Sequence, residues 1–439
     1  MMPGKSQADA GSAAVSSIPA RALSRRTLFT AAGTAGVVGV AAGATGAVAL
    51  DPRPAADPVK DTVPFRGKHQ AGIDTAAQDR MHTAAFDVTA ADRGELVSLL
   101  REWTAAIEQM TAGQPVGGTE GATGGAYAAP PEDTGEALDL PASHLTVTVG
   151  FGRSLFLRDG TDRFGIAHRM PGALIELPHF PGDALEEERS GGDLVVQACS
   201  DDPQVAVHAI RNLARIAFGR ASVRWSQIGF GRTSSTSQSQ ATPRNLFGFK
   251  DGTANIKAED PDAMSGHVWV AGATGAESWM NDGTYMVVRR IRMHIETWDR
   301  TSLGEQEQDI GRTKKEGAPL SGGTEFTEPD LSMQGSAGPL IPSDSHVAMA
   351  HPSRNKGVRM LRRGFNYADG SDGLGRLDAG LFFIAFVIDP RTHYVPMQMA
   401  MAKHDLLVEY LRHTGSGLFA VPPGLPATGG FLGQGLFEA

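Results

Sequence analysis

The feature that most narrows this chain is its single cysteine. Cys199 stands alone among 439 residues, so no disulfide can form within the chain and its fold must rest on packing and on whatever it binds. The N-terminus sharpens that constraint. Ser24-Arg25-Arg26-Thr27-Leu28-Phe29 precedes a Gly/Ala-rich apolar run that ends in Ala47-Val48-Ala49. A basic start, a weakly apolar stretch and a small-residue exit are the parts of a secretory signal, and the paired arginines give it the twin-arginine form. Gly33, Gly36, Gly39, Gly43 and Gly46 interrupt the run and make it a poor membrane-spanning helix. Residues 1–49 are therefore expected to be a cleaved twin-arginine signal, with an uncleaved anchor as the alternative. The twin-arginine export machinery would place the mature chain in the periplasm, the cell envelope or the medium. Exported chains ordinarily have disulfides open to them. One that does without them, on a route that carries folded proteins, suits a protein that takes up a cofactor before export.

Residues 50–63, rich in Pro, Asp and Ala, read as a linker. Thr111 to Ala137, with Gly117-Gly118, Gly124-Gly125 and Pro130-Pro131, reads as a surface insertion. Thr89-x-x-Asp92 resembles a capping box ahead of Leu96, Leu99, Leu100, Trp103, Ile107 and Met110, which recur at helical spacing. Ser200-Asp201-Asp202-Pro203 opens a second helix, with Ala206, Ile210, Leu213 and Ala217 on one face. Leu145–Val149, Asp193–Ala198, Val223–Ile228, Thr284–Trp298 and the apolar run Gly380–Asp389 read as strands. A helical stretch from Met399 to Leu411 is expected to end at Gly415. Strands and helices mix without a βαβ repeat, which predicts an α+β fold of two similar antiparallel-sheet domains, residues 64–245 and 246–439. The net charge of −9, with scattered Lys and Arg, excludes general nucleic-acid binding.

Asn245-Leu-Phe-Gly-Phe-Lys-Asp251-Gly252-Thr253-Ala254-Asn255 is the most specific segment. An Asp held in a poorly solvated loop can be tuned to shuttle a proton, although Asp-Gly also marks an ordinary turn. His346 lies in Asp344-Ser345-His346-Val347-Ala348-Met349-Ala350-His351-Pro352, and Leu361-Arg362-Arg363-Gly364-Phe365-Asn366-Tyr367 follows. A neutral imidazole is a common haem ligand, and a permanently charged arginine stabilises the anionic oxygen that develops as a peroxide bond breaks. The chain has no C-x-x-C-H attachment motif, so a haem here would be one non-covalent haem b.

Together these segments resemble the dye-decolourising (DyP-type) haem peroxidases over nearly the whole chain after the signal. Gly67-Lys-His-Gln-Ala-Gly-Ile73, the G-x-x-D-G signature around Asp251, Glu296–Gln306 with Ile310-Gly311-Arg312, and Gly415–Gly424 occur in the family's order. The resemblance implies two ferredoxin-like domains with haem between them. It implies Asp251 as distal acid, Arg362 as distal arginine, His346 as iron ligand and Asn255 as a distal-side catalytic group. It also implies that Gly252, Thr253 and Ala254, and His351, Pro352 and Ser353, contact haem; many relatives have Asn-Pro-Arg where this chain has His351-Pro352-Ser353-Arg354. The expected reaction reduces hydrogen peroxide and draws on one-electron donors, dyes or phenols, with Tyr394, Tyr410, Trp269, Trp279 and Trp298 as candidate relays. The alternative is a deferrochelatase, releasing iron from haem in an uptake system; the physiological donor and self-association stay open.

Elementary physics adds three expectations. Arg289 is a cation on an apolar strand face, suited to a haem carboxylate or to solvent at an edge. Leu381 and Phe383 share a face and form either a dry cavity wall or plain core. A ligating histidine needs an acceptor for its second ring nitrogen. Asp405, with Glu409 as runner-up, is expected to supply it from one face of the C-terminal helical stretch.

Overall fold

A computed structural model describes residues 61–438 apart from Ala337; the signal and most of the linker lie outside the described residues. The strands in chain order are β1 Arg80–Val88, β2 Thr146–Gly152, β3 Leu194–Ser200, β4 Ala221–Arg232 and β5 Thr284–Met293. There follow a two-residue hairpin, β6 Gln334–Gly335 and β7 Gly338–Pro339, and then β8 Leu361–Arg362, β9 Phe365–Ser371, β10 Leu377–Val387 and β11 Leu411–Val421.

Two four-stranded antiparallel sheets share one ferredoxin-like order. The first runs β2-β3-β1-β4 and the second β11-β5-β10-β9, so each places its own strands as 4-1-3-2 or the mirror of that order. The sheets join at both edges. Phe419 and Ala420 of β11 pair with Gly152 and Phe151 of β2, and Phe230 and Arg232 of β4 pair with Asn366 and Phe365 of β9. A ring closes, and no edge of either sheet is left to aggregate along its full length. Inside it pack Met81, Val195, Cys199, Trp225, Met286, Val288, Phe365, Phe382, Ile384, Phe386 and Phe419.

Outside the first sheet lie helices Arg93–Thr111 and Pro203–Ile216, burying Leu96, Leu99, Trp103, Ile210 and Leu213 against Phe86, Val147 and Val196. The first helix is capped by Asp92, which accepts from Glu95 N, while Glu95 returns a bond from Ala91 N. The capping box is thus Asp92-x-x-Glu95 rather than one begun by Thr89, and such a cap contributes about 1 kcal/mol. The second is capped by Asp202 with Pro203 in its first turn. The segment after Thr111 holds turns alone until β2, and buried Asp133 pins it by accepting from Val116 N and meeting His208 Nε2 at 3.0 Å.

Two expectations change. The strand from Thr284 stops at Met293 and gives way to a short helix, Ile295–Trp298. The C-terminal helix spans Val395–His404, followed by a 3-10 turn Leu406–Tyr410, and Gly415 sits within β11 at a register shift. Pairing with β5 begins only at Leu411, where the helical stretch gives way to strand.

Candidate functional site

β10 sets the geometry. Its even-numbered Phe382, Ile384 and Phe386 are buried inside the ring, whereas Leu381 and Phe383 project from the opposite face and are only half-buried. β8 extends this wall: Arg362 pairs with Ala385, on the face of Leu381 and Phe383, while Leu361 pairs with Phe386. Strand alternation therefore separates the adjacent arginines. Arg362 faces away from the ring interior, and Arg363 turns into it, fully buried on the Thr75 and Ala76 carbonyls and the Thr236 hydroxyl.

The Asp251 loop is brought to Arg362 by local bonds. Asp251 N donates to Pro243 O (2.9 Å) and Asn255 N to Gly252 O (3.0 Å). Gly252 has φ +87°, and a Cβ there would lie 2.9 Å from Ser234 Cα, so only glycine fits. Asp251 Oδ1 accepts from Arg362 Nη1 at 2.8 Å, and its Oδ2 from Asn245 Nδ2 at 3.3 Å. Asn255 is buried with both ends of its amide engaged. Its Oδ1 accepts from Arg362 N (2.8 Å) and its Nδ2 donates to Arg362 O (2.9 Å) and Ser235 O (3.1 Å). Asn255, expected as a distal-side catalytic group, clamps the backbone that carries Arg362. Thr253 reaches Glu325 (3.3 Å), which also pairs with Lys250, and Ala254 is exposed beside it.

His346 opens the short helix His346–Ala350. Its Nδ1 lies 2.7 Å from Asp405 Oδ2, and no other hydrogen bond engages the ring among the described residues. Asp405 is 5% exposed; its Oδ1 accepts from Leu407 N (2.9 Å), and Leu406 N donates to Asp344 O (3.0 Å), which ties the two segments together. Burial disfavours the imidazolium, yet the charge and hydrogen bond of Asp405 prevail and hold the His346 pKa above its ordinary value. The charges of Asp251 and Arg362 also act on it, so the two pairs lie near one another. Half-buried Val347, Ile295, Leu411 and Leu381 pack there against Trp298, Phe247 and Tyr410.

Other expected residues fall elsewhere. Glu409 is exposed and takes no part in the His346 bond: the helix ends at Asp405, so the two acids do not share a helix face. Arg289 lies opposite Phe383, on the face of Leu381 and Phe383, but is 0% exposed. Its guanidinium pairs with Asp183, bonds Ser416 Oγ (3.1 Å) and sits 5.1 Å from the Phe180 ring centre. The partner that a buried cation needs is met here by a carboxylate of the chain, where a haem carboxylate was expected. His351, Pro352 and Ser353 form the turn after the His346 helix. Both His351 ring nitrogens are engaged, Nδ1 with Ser353 (2.8 Å) and Nε2 with Glu328 (2.8 Å). Asn245 and Asp183 were not legible as site-building residues; a carboxylate partner for Arg289 was demanded by charge alone, but its address lay in a loop more than a hundred residues away.

Comparison with known proteins gives one answer. Residues 70–231 match the family described as "Dyp-type peroxidase, N-terminal" and residues 242–425 that described as "Dyp-type peroxidase, C-terminal". The chain is 36% identical over 380 residues to a deferrochelatase of Yersinia pseudotuberculosis, covering 86% of this chain and 85% of that one. It is 35% identical over 379 residues to one of Escherichia coli O6:H1, covering 85% and 87%. Among solved structures, ferric DtpA from Streptomyces lividans is 42% identical with a TM-score of 0.76, covering 86% of this chain and 97% of that one. A DyP-type peroxidase from Cellulomonas bogoriensis is 38% identical with a TM-score of 0.76, covering 88% and 100%.

Proposed function

This chain belongs to the Dyp-type peroxidase family, and from that premise we propose how its own residues carry out the reaction. It is a haem peroxidase, an oxidoreductase that uses hydrogen peroxide and one-electron donors. The observation that carries the assignment is that the chain forms both an Asp251–Arg362 pair and a His346–Asp405 pair, near enough for the charges of the first to act on His346.

The donor set fits haem. With Nδ1–H committed to Asp405, His346 presents the Nε2 lone pair, which is what an axial ligand requires. Cys199 is fully buried inside the ring, which supports a haem b held without a thioether bond. Haem held there by His346 would supply the iron chemistry of peroxide reduction. Asp251, bonded to Arg362 and Asn245, would take up a proton of hydrogen peroxide and return it to the departing oxygen. Arg362, held by Asn255, stabilises the negative charge that develops as the O–O bond parts. Gly252, Thr253 and Ala254 border the cofactor on this side, with Leu381 and Phe383 as the dry wall. For donors too large to enter, Trp298 and Tyr410 are the candidate relay: their ring centres are 5.0 Å apart beside the His346 segment. Export by the twin-arginine route belongs to the same proposal, on the Arg25-Arg26 motif; among the described residues no helix is long and apolar enough to cross a membrane.

The test is an absorption spectrum of the haem-loaded protein, followed by stopped flow, before and after peroxide. A peroxide-dependent change that a one-electron donor reverses is expected, and a static spectrum would overturn the assignment of this site. The relatives called deferrochelatase favour a second reading, release of iron from haem. Porphyrin fluorescence appearing in the same sample without added peroxide would support it.

A further inference from the structure

Asp309 is an acid in a poor place for its charge. It lies in the last turn of helix Leu303–Ile310, whose C-terminal carbonyls disfavour a negative charge, and it is 6% exposed. Its Oδ2 is buried without a hydrogen-bond donor, a state that an ionised carboxylate tolerates badly. The neighbours that act most on it are all acids: Glu305 one turn earlier on the same helix, Glu409 and Asp405 on the segment after helix Val395–His404, and Asp344 in the loop before His346. The elements packed against this helix also carry His346 and Tyr410. Burial first, and then those four carboxylates, raise the Asp309 pKa from the ordinary carboxylate range to about 6.

We propose that Asp309 is a positioning acid of the peroxidase site: it carries a proton in acidic solution, and its ionisation places a second negative charge behind Asp405. That charge strengthens the hold of Asp405 on the Nδ1 proton of His346 and makes the imidazole a stronger electron donor to the cofactor. No electron moves in this step; the Asp309 proton passes to solvent. The consequence is a cofactor potential that falls as pH rises through the range in which Asp309 ionises. The inference rests on the reading of His346 as axial ligand, and Asp309 touches neither substrate nor cofactor.

The test uses full-length wild type, Asp309→Asn and Asp309→Glu, with and without haem. In the haem-free protein the raised pKa means that the folded state binds more protons than the unfolded one. The stability this gives is complete below the unfolded value near 4 and is lost as pH rises through about 6. The Tm of Asp309→Asn relative to wild type should therefore climb from pH 4 to pH 7. In the loaded protein the potential of wild type should fall more steeply between pH 5 and 7 than that of Asp309→Asn, and Asp309→Glu should restore the slope. A Tm gap that does not change with pH overturns the titration. Parallel potential slopes, in a protein whose haem spectrum depends on His346, overturn this inference alone. An unchanged haem spectrum in His346→Ala overturns the reading of the site and the inference with it.

Discussion

Removing one member of the Arg289–Asp183 pair strands the other in the protein interior. Both side chains are 0% exposed. Arg289→Met keeps the length of the side chain but leaves the Asp183 carboxylate with His413 Nδ1 at 3.9 Å as its nearest other basic group. In the wild type, burial and after it the charge of Arg289 push the His413 pKa down to about 3, so no second cation stands beside Asp183. Breaking a buried pair in this way costs about 3–5 kcal/mol. A chain of this size has an unfolding entropy on the order of 0.8 kcal/mol per kelvin, so Tm should fall by roughly 4–6 °C. The double variant Arg289→Met with Asp183→Leu removes both charges and should recover most of that loss. Calorimetry of the haem-free single and double variants reads the stability, and haem titration of the double variant reads the site. Because no part of Arg289 touches open space, the double variant should bind haem as wild type does. A double variant that regains its stability yet loses haem would refute this reasoning and return Arg289 to the cofactor.

Four further outcomes are expected. His346→Ala should abolish stable haem loading, and His351 should not replace it because both of its ring nitrogens are engaged; full occupancy with an unchanged spectrum would move the ligand elsewhere. Arg362→Ala and Asp251→Ala should each keep haem and slow the reaction with peroxide by about 100-fold or more, measured by stopped flow, with Arg362 at least equal in effect. Asp405→Asn can still accept from Leu407 N, so the turn should hold while the ferric/ferrous potential rises; an unchanged potential would exclude Asp405 as the acid behind the ligand. Arg25→Lys with Arg26→Lys should trap folded protein in the cytoplasm, and normal secretion would point to the general export route.

The sequence determined what depends on local pattern. Helical spacing of Leu96, Leu99, Leu100 and Trp103, and apolar runs at Leu194–Ser200 and Leu377–Val387, were enough for an α+β chain with antiparallel sheets, because burial on one face or both leaves a period in the residues themselves. Family motifs carried the cofactor and the peroxidase chemistry. Asp405 was legible as a carboxylate near the ligand, but for an inexact reason. It lies past the end of its helix, as the cap of a 3-10 turn, and Glu409 shares no helix face with it. The tertiary structure decided which charges meet. Strand register, set by pairing across β8, β10 and β5, turns Arg362 away from the ring interior and Arg363 into it. The loop between β2 and β3 brings Asp183 to Arg289 across 106 positions of sequence. Helix Leu303–Ile310 buries Asp309 among four other acids. A local pattern can require that a buried cation have a partner or a ligating histidine an acceptor, since both follow from the cost of an unpaired polar group. It cannot say which residue answers, because that depends on how distant segments close on one another.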